Sequence, residues 1–269
     1  MSNTTLLHEL IALSANSSPG TIALSHGGNL ISYGELLDEV TRFSSGLMHL
    51  GIQRGERVAI YLEKRFETVI ASFGATAAGG VFVPLNPLLK AEQVGYILRD
   101  CNVRVLVTSP ERLALLQETL PACRDLRHVV VLDSAEPLPT IDGLNLCRWR
   151  DLLAAPAMPG HRVIDTDVVS ILYTSGSTGK PKGVVLSHRN MVAGAKSVAS
   201  YLENRADDTL LAALPLSFDA GFSQLTTAFH VGARVVLLNY LLPRDVLKVI
   251  EREKGTGLTA VPPLYIQLT

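Results

Sequence analysis

Residues 168–188 read VVSILYTSGSTGKPKGVVLSH, and the interpretation of the whole chain starts from this stretch. The apolar runs Val168–Tyr173 and Val184–Leu186 predict two strands. Between them lie several hydroxyl residues, three glycines, a proline and two lysines. Glycine lets a ligand approach the backbone closely, and successive backbone N–H groups in such a turn can form a concave anion site. The composition therefore indicates a loop that wraps a polyphosphate.

Better-known phosphate loops do not fit this spacing. The P-loop of nucleotide triphosphatases needs a glycine five positions before its Gly-Lys pair and Ser or Thr after the lysine. Thr174 and Pro181 occupy these two positions. The dinucleotide-binding glycine pattern is missing. Ser177-Thr178-Gly179-Lys180 matches the Ser-x-x-Lys of penicillin-recognising enzymes, but the companion elements of that class are missing from the sequence. A mobile Gly/Ser hairpin is the structural alternative.

The unbroken run Tyr173-Thr174-Ser175-Gly176-Ser177-Thr178-Gly179-x-Pro181-Lys182-Gly183 resembles the signature loop of the adenylate-forming superfamily. That superfamily includes acyl-CoA synthetases, the adenylation domains of peptide synthetases and luciferases. The resemblance implies that the phosphates of ATP are bound by Thr174, Ser175, Gly176, Ser177, Thr178, Gly179 and Lys182. Lys182, and not Lys180, falls at the fixed lysine of the motif. We therefore expect AMP-forming activation of a carboxylic acid, followed by thioester formation with coenzyme A or a carrier protein.

A second segment, Leu214–Asp219, follows a predicted strand and precedes a predicted helix, a position where ligands bind in open α/β sheets. The resemblance implies that this segment faces the carboxylate substrate, with Phe218 and Asp219 as its binding residues. Peptide-synthetase adenylation domains use an aspartate here for the substrate's amino group, so amino acids are the alternative substrates. The structural interpretation is that Asp219 caps a helix that starts near Phe222. Lys64 and Arg65 precede another predicted helix and are expected to be solvated.

Strands and helices alternate along most of the chain, for example in Arg57–Leu62, Phe66–Gly79, Val81–Leu85, Ala91–Asp100 and Val103–Thr108. This order predicts an α/β fold with largely parallel sheets flanked by helices on both faces. The resemblance makes it a truncated N-terminal domain of an adenylate-forming enzyme. Residues 134–159 are rich in Pro, Asp and Ala and are predicted to be a surface connection.

The composition describes an ordinary globular protein, since 47% of the 269 residues are hydrophobic and 18% are charged. A formal net charge of −1 gives no electrostatic case for nucleic acid or an acidic membrane. The three cysteines have no metal-binding spacing, which favours a reducing cytoplasm. No stretch is long and uninterrupted enough to predict a membrane span.

The family pattern continues past Val261-Pro262-Pro263 into a glutamate that helps to hold Mg²⁺, and later into a small domain whose lysine assists adenylation. Neither is found before Thr269. We therefore expect residues 1–269 to be an incomplete N-terminal adenylation domain without the lysine-bearing domain, in which the Mg²⁺ site is incomplete and the catalytic residues are unknown. A non-catalytic nucleotide-binding fragment is the alternative. The last predicted strand, Leu258–Val261, would form an exposed edge, and we expect self-association through it.

Overall fold

The computed structural model describes residues 4–174, 180–240 and 242–268. The helices are α1 (Glu9–Ser17), α2 (Tyr33–His49), α3 (Phe66–Ala77), α4 (Ala91–Asp100), α5 (Pro110–Leu116), α6 (Trp149–Leu153), α7 (His188–Tyr201), α8 (Asp219–Val231), α9 (Pro243–Glu253) and α10 (Pro262–Leu268). The strands are β1 (Ile22–His26), β2 (Asn29–Ser32), β3 (Arg57–Tyr61), β4 (Val81–Pro84), β5 (Val103–Thr108), β6 (His128–Val131), β7 (Asn145–Arg148), β8 (Val168–Thr174), β9 (Lys182–Ser187), β10 (Thr209–Ala212), β11 (Arg234–Leu237) and β12 (Gly257–Leu258).

The chain divides into two compact units, and the first contains the described residues within 1–38, 64–66 and 188–269. Its five-stranded sheet has the order β12-β10-β11-β1-β2. All its pairings are parallel except the β1–β2 hairpin. Gly27 and Gly28 turn this hairpin with φ angles of 57° and 88°, which glycine adopts without steric cost. The glycine turn is the kind that favours a tight antiparallel connection.

The second unit contains residues 39–63 and the described residues within 67–187. Its seven-stranded sheet has the order β7-β6-β5-β3-β4-β8-β9. Within the described ranges its strands pair in parallel except for β8 and β9, which are antiparallel. All four residues of β4 are buried, as expected for a parallel strand covered on both faces. The prediction of an α/β fold with largely parallel sheets is confirmed.

The prediction of a plain connection over residues 134–159 is wrong. This segment contains β7, which pairs in parallel with β6, and the five-residue helix α6. The buried Trp149 of α6 packs against Phe43, with ring centroids 4.9 Å apart. Elements this short have too few residues to display a hydrophobic period, and such a helix is stable only through its tertiary packing.

The chain around residue 260 also differs from expectation. β12 has two residues, Gly257 and Leu258, where the sequence predicts a strand to Val261. Pro262 begins α10 instead of only ending the strand, because the fixed φ of proline suits the first turn of a helix. β12 is nevertheless an edge of the five-stranded sheet. In the described part of the chain, no helix is long and apolar enough to cross a membrane.

Candidate functional site

The two strands that flank the glycine-rich motif form an antiparallel hairpin, as predicted. β8 and β9 pair from Val168 opposite Ser187 to Thr174 opposite Lys182. Thr174 and Lys182 are therefore direct partners at the mouth of the connection, and both are exposed. Ser175, Gly176, Ser177, Thr178 and Gly179 lie outside the described residues. The structure thus brings together two of the predicted phosphate-binding residues, one hydroxyl and one cation.

The loop end of this hairpin is tied to α4 and closely packed. The hydroxyl of Tyr173 donates a hydrogen bond of 2.6 Å to the Asp100 carboxylate. The pKa of the Tyr173 phenol is raised, mainly because the ring is buried and secondly because of this hydrogen bond. The phenol therefore stays protonated and remains a donor. A Cβ atom at Gly183 would lie 2.7 Å from Cγ2 of Ile171. The last glycine of the motif therefore serves strand packing.

The second predicted segment forms a tight turn between β10 and α8. The amide of Phe218 donates to the carbonyl of Pro215 over 3.3 Å, and the amide of Phe222 donates to the carbonyl of Phe218 over 2.9 Å. A side chain at Gly221 would overlap the carbonyl oxygen of Pro215. The turn therefore depends on glycine at this position, where the first turn of α8 lies against the preceding chain.

The structure places Asp219 inside α8 and not in front of it. The helix begins at Asp219, its N-cap is Phe218, and no side-chain cap hydrogen bond is made there. The interpretation of Asp219 as a cap for a helix starting near Phe222 is therefore wrong. The reason is that the backbone turn from Pro215 to Phe218 sets the start of the helix. The exposed carboxylate lies at a helix N-terminus, where the helix dipole favours negative charge.

A cavity of about 430 Å³, here called the α8 cavity, lies beside Asp219. Its wall consists of Val198, Tyr201, Leu202, Asn204, Leu210, Leu211, Asp219, Ala220, Ser223, Gln224, Thr227, Thr256, Gly257, Leu258 and Thr259. A volume of this size is typical of small-molecule sites, as is a wall of apolar groups with a few polar ones. Asp219 contributes to this wall, whereas Phe218 does not, although 40% of that residue is exposed.

Lys64 is buried, which corrects the expectation that it is solvated. Only 9% of the residue is exposed. Its Nζ atom donates to the carbonyl oxygens of Ala213, over 2.7 Å, and Leu214, over 3.3 Å. Burial lowers the pKa of the Lys64 ammonium to about 8, because the charged form loses its hydration. Sequence patterns gave no signal for this contact, since Lys64 stands in a charged run before a helix.

The described residues do not assemble a metal site by themselves. No group of three or more His, Cys, Asp or Glu side chains in the described ranges could hold a metal ion.

Several known proteins are similar to the chain. The family model for AMP-binding enzymes matches residues 11–269. Feruloyl-CoA synthase from an Amycolatopsis species is 34% identical over 255 residues, which cover 93% of this chain and 48% of that protein. Gramicidin S synthase 2 from Brevibacillus brevis is 28% identical over 259 residues, which cover 94% of this chain and 5% of that protein.

A solved structure shares the fold as well. The anthranilate CoA ligase AuaEII in complex with anthranoyl-AMP aligns with a TM-score of 0.88 and 27% sequence identity, over 97% of this chain and 50% of that one. The chain spans about half the length of the CoA ligases that it matches. The family match extends over nearly the whole sequence and includes the β8–β9 hairpin with its motif, and the chain therefore belongs to the family of AMP-binding enzymes.

Proposed function

We propose that the protein containing this chain activates a carboxylic acid with ATP. The carboxylate oxygen attacks the α-phosphorus of ATP, the bond to the bridging oxygen breaks, and pyrophosphate leaves. The resulting acyl-adenylate is then attacked by the thiol of coenzyme A or of a carrier protein, which gives a thioester and AMP. One observation carries this proposal: in a chain of this family, the hairpin sets Thr174 directly opposite Lys182 at the mouth of the motif.

The expected chemistry of the hairpin is charge stabilisation. Lys182 offers a positive charge and Thr174 a hydroxyl, both exposed to a ligand. We assign Ser175–Gly179, which belong to the same motif, as further donors to the β- and γ-phosphates. Phosphoryl and nucleotidyl transfers depend mainly on such positioning and on stabilisation of the leaving group's charge. Mg²⁺ would accompany ATP and neutralise phosphate charge when bound.

The α8 cavity is our proposed site for the acid, with Asp219 in its wall and Phe218 next to it. Its volume of about 430 Å³ suits an aromatic or medium-length acid. Feruloyl-CoA synthase and the anthranoyl-AMP complex are named for aromatic acids. We therefore propose a small carboxylic acid, and an aromatic one first, as the substrate of an acyl-CoA ligase.

An amino acid is the second candidate substrate, and one observation favours it. Among the described residues, the exposed carboxylate of Asp219 accepts no side-chain hydrogen bond, although it lines the cavity. A carboxylate in that position attracts an ammonium group, whereas packing a plain acyl tail against it would remove its hydration at a cost in free energy. Gramicidin S synthase 2 is among the similar proteins, so a carrier-protein thiol is the matching acceptor.

ATP–pyrophosphate exchange tests the proposal and separates the two candidates. The panel contains benzoate, ferulate, anthranilate, hexanoate, L-phenylalanine and L-aspartate. Exchange with at least one acid supports acid activation. If amino acids are the substrates, Asp219→Asn abolishes their exchange and spares that of the other acids. Absence of exchange with the whole panel, together with measurable ATP binding, would instead support a non-catalytic nucleotide-binding fragment.

Two further expectations belong to the same proposal. We expect the protein to act in the cytoplasm, where Cys101, Cys123 and Cys147, which are free thiols in the structure, would stay reduced. Self-association through the β12 edge also stays a prediction. Sedimentation at increasing protein concentration tests it, and a monomer at all concentrations counts against it.

A further inference from the structure

We infer that Lys64 is a positioning residue for the segment that carries Phe218 and Asp219. The inference rests on the proposed function, because that segment is proposed to hold the acid. Lys64 need not touch the substrate for this role. It would act by fixing the backbone from which the substrate-binding side chains extend.

The contacts of Lys64 converge on the carboxyl ends of two neighbouring parallel strands. Its ammonium donates to the carbonyls of Ala213 and Leu214, which directly follow β10. Its own carbonyl accepts a hydrogen bond of 2.8 Å from the side-chain amide of Asn239, which follows β11. β10 and β11 are paired in parallel. This edge of an open α/β sheet is where ligands bind.

The choice of a lysine at this buried point needs an explanation. A buried ammonium is normally paired with a carboxylate, because losing its hydration is unfavourable. Lys64 makes no ion pair within the described part of the chain, and the two backbone carbonyls take its hydrogen bonds instead. Charged donors make shorter and stronger hydrogen bonds than neutral donors. The buried ammonium lowers the stability of the folded chain, yet it binds two backbone carbonyls. Its presence is therefore better explained by a role in ordering those carbonyls than by a contribution to folding stability.

The ordering passes from Leu214 to Asp219 because the intervening turn cannot absorb a shift. The amide of Phe218 is bonded to the carbonyl of Pro215. The backbone of Gly221 lies against the same carbonyl without room for a side chain. A movement of Ala213 and Leu214 therefore moves the start of α8, where Asp219 lies.

Two measurements on the variant Lys64→Met test the inference. Lys64→Arg, which keeps the positive charge, and Lys248→Met are measured alongside it. Lys248 is an exposed lysine of α9 and is the matched control. Hydrogen exchange read by mass spectrometry should show amides in residues 213–222 exchanging about tenfold faster in Lys64→Met. In pyrophosphate exchange, the KM for the acid should rise about tenfold while the KM for ATP stays within about twofold. Lys64→Arg should recover part of both effects, and Lys248→Met should behave like the unsubstituted protein.

Several results would overturn the inference. Unchanged hydrogen exchange in residues 213–222 removes its physical basis. If hydrogen exchange there is faster but the KM values for the acid and for ATP rise equally, Lys64 is a general structural residue. If no acid of the panel supports pyrophosphate exchange by the unsubstituted protein, the proposed function fails. Hydrogen exchange alone then decides whether Lys64 orders the segment. If Lys64→Met does not melt cooperatively, Asn239→Ala replaces it, because this substitution removes the hydrogen bond that Asn239 donates to the backbone of Lys64. We expect Asn239→Ala to show the same changes in hydrogen exchange and in KM, but smaller. If it shows neither change, the inference is wrong.

Discussion

The backbone of Gly221 lies so close to the carbonyl oxygen of Pro215 that even one methyl group at position 221 would overlap it. The neighbouring atom is backbone, so no side-chain rotation can relieve the overlap. Gly221 is nevertheless a residue of α8, and alanine in a helix is normally more stable than glycine by about 1 kcal/mol. The contact should therefore reverse the usual sign of a glycine-to-alanine substitution.

We predict that Gly221→Ala lowers the free energy of unfolding by about 3 kcal/mol, the upper end for overpacking a filled site. Gly194→Ala is the matched control, since Gly194 lies in α7, where an added methyl group would meet no neighbouring atom within 4 Å. That control should raise stability by up to about 1 kcal/mol. Urea denaturation of both variants gives the comparison, and two substitutions with the same sign would contradict the prediction.

The hydrogen bond from Tyr173 to Asp100 anchors the loop end of the hairpin, and the effect of removing it on stability should be measurable. A hydrogen bond to a charged group contributes about 2 kcal/mol, so Tyr173→Phe should lower the free energy of unfolding by about that amount. Tyr201→Phe changes an exposed ring and is the control. Urea denaturation again provides the measurement, and equal stabilities of the two variants would show that the anchor is weak.

Lys182 and Lys180 are close in sequence but differ in position, and this difference gives a direct test of the hairpin. Lys182 is paired with Thr174, whereas Lys180 precedes the strand. Lys182→Ala should reduce the pyrophosphate exchange rate about 100-fold, which corresponds to one lost charge-stabilising donor. Because Lys182 is exposed, the melting temperature of this variant should stay nearly unchanged. Lys180→Ala should have a much smaller effect, and equal losses in both variants would refute the assignment.

The buried Lys64 should make stability depend on pH in the alkaline range. Its pKa is about 8 in the folded chain and near the ordinary 10.5 when unfolded. Between these values the unfolded chain binds more protons, so the free energy of unfolding rises with pH from 8 to 10.5. The total contribution is about 3 kcal/mol at most.

Lys64→Met lacks this titration, and comparing it with the unsubstituted protein cancels the other ionisable groups. The stability of the unsubstituted protein relative to the variant should increase as the pH is raised from about 7 to about 10. Urea denaturation at each pH measures this difference. A difference that does not vary with pH would mean that Lys64 titrates normally in the folded chain.

The sequence predicts most of the fold because most elements carry their own local signals. The helix Ala91–Asp100 and the strand Val103–Thr108 agree with the structure at every residue. The segment Ser32-Tyr33-Gly34-Glu35 forms a capping box at the start of α2, since the backbone N–H of Ser32 donates to the Glu35 carboxylate over 2.8 Å and the Ser32 hydroxyl accepts from the Glu35 amide over 3.3 Å. Such signals depend on spacing within a few residues.

The remaining features could not be predicted because distant residues decide them. Lys64 is buried by carbonyls about 150 positions later in the chain. β7 exists because β6 supplies its partner. Asp219 lies inside α8 because the turn at Pro215 starts the helix early. The candidate site shows the same contrast. A local motif is enough to predict Thr174 and Lys182, whereas the α8 cavity is lined by segments that are distant in sequence.

The walls of the α8 cavity and the β8–β9 hairpin belong to different compact units of the chain. Changes at Ala220 or Ser223 can therefore reshape the cavity without repacking the strands that present Lys182. On the proposed function, one acid can be exchanged for another by such changes while the nucleotide chemistry is inherited unaltered. This modularity offers a structural reason why proteins named for products as different as feruloyl-CoA and gramicidin S are both similar to this chain.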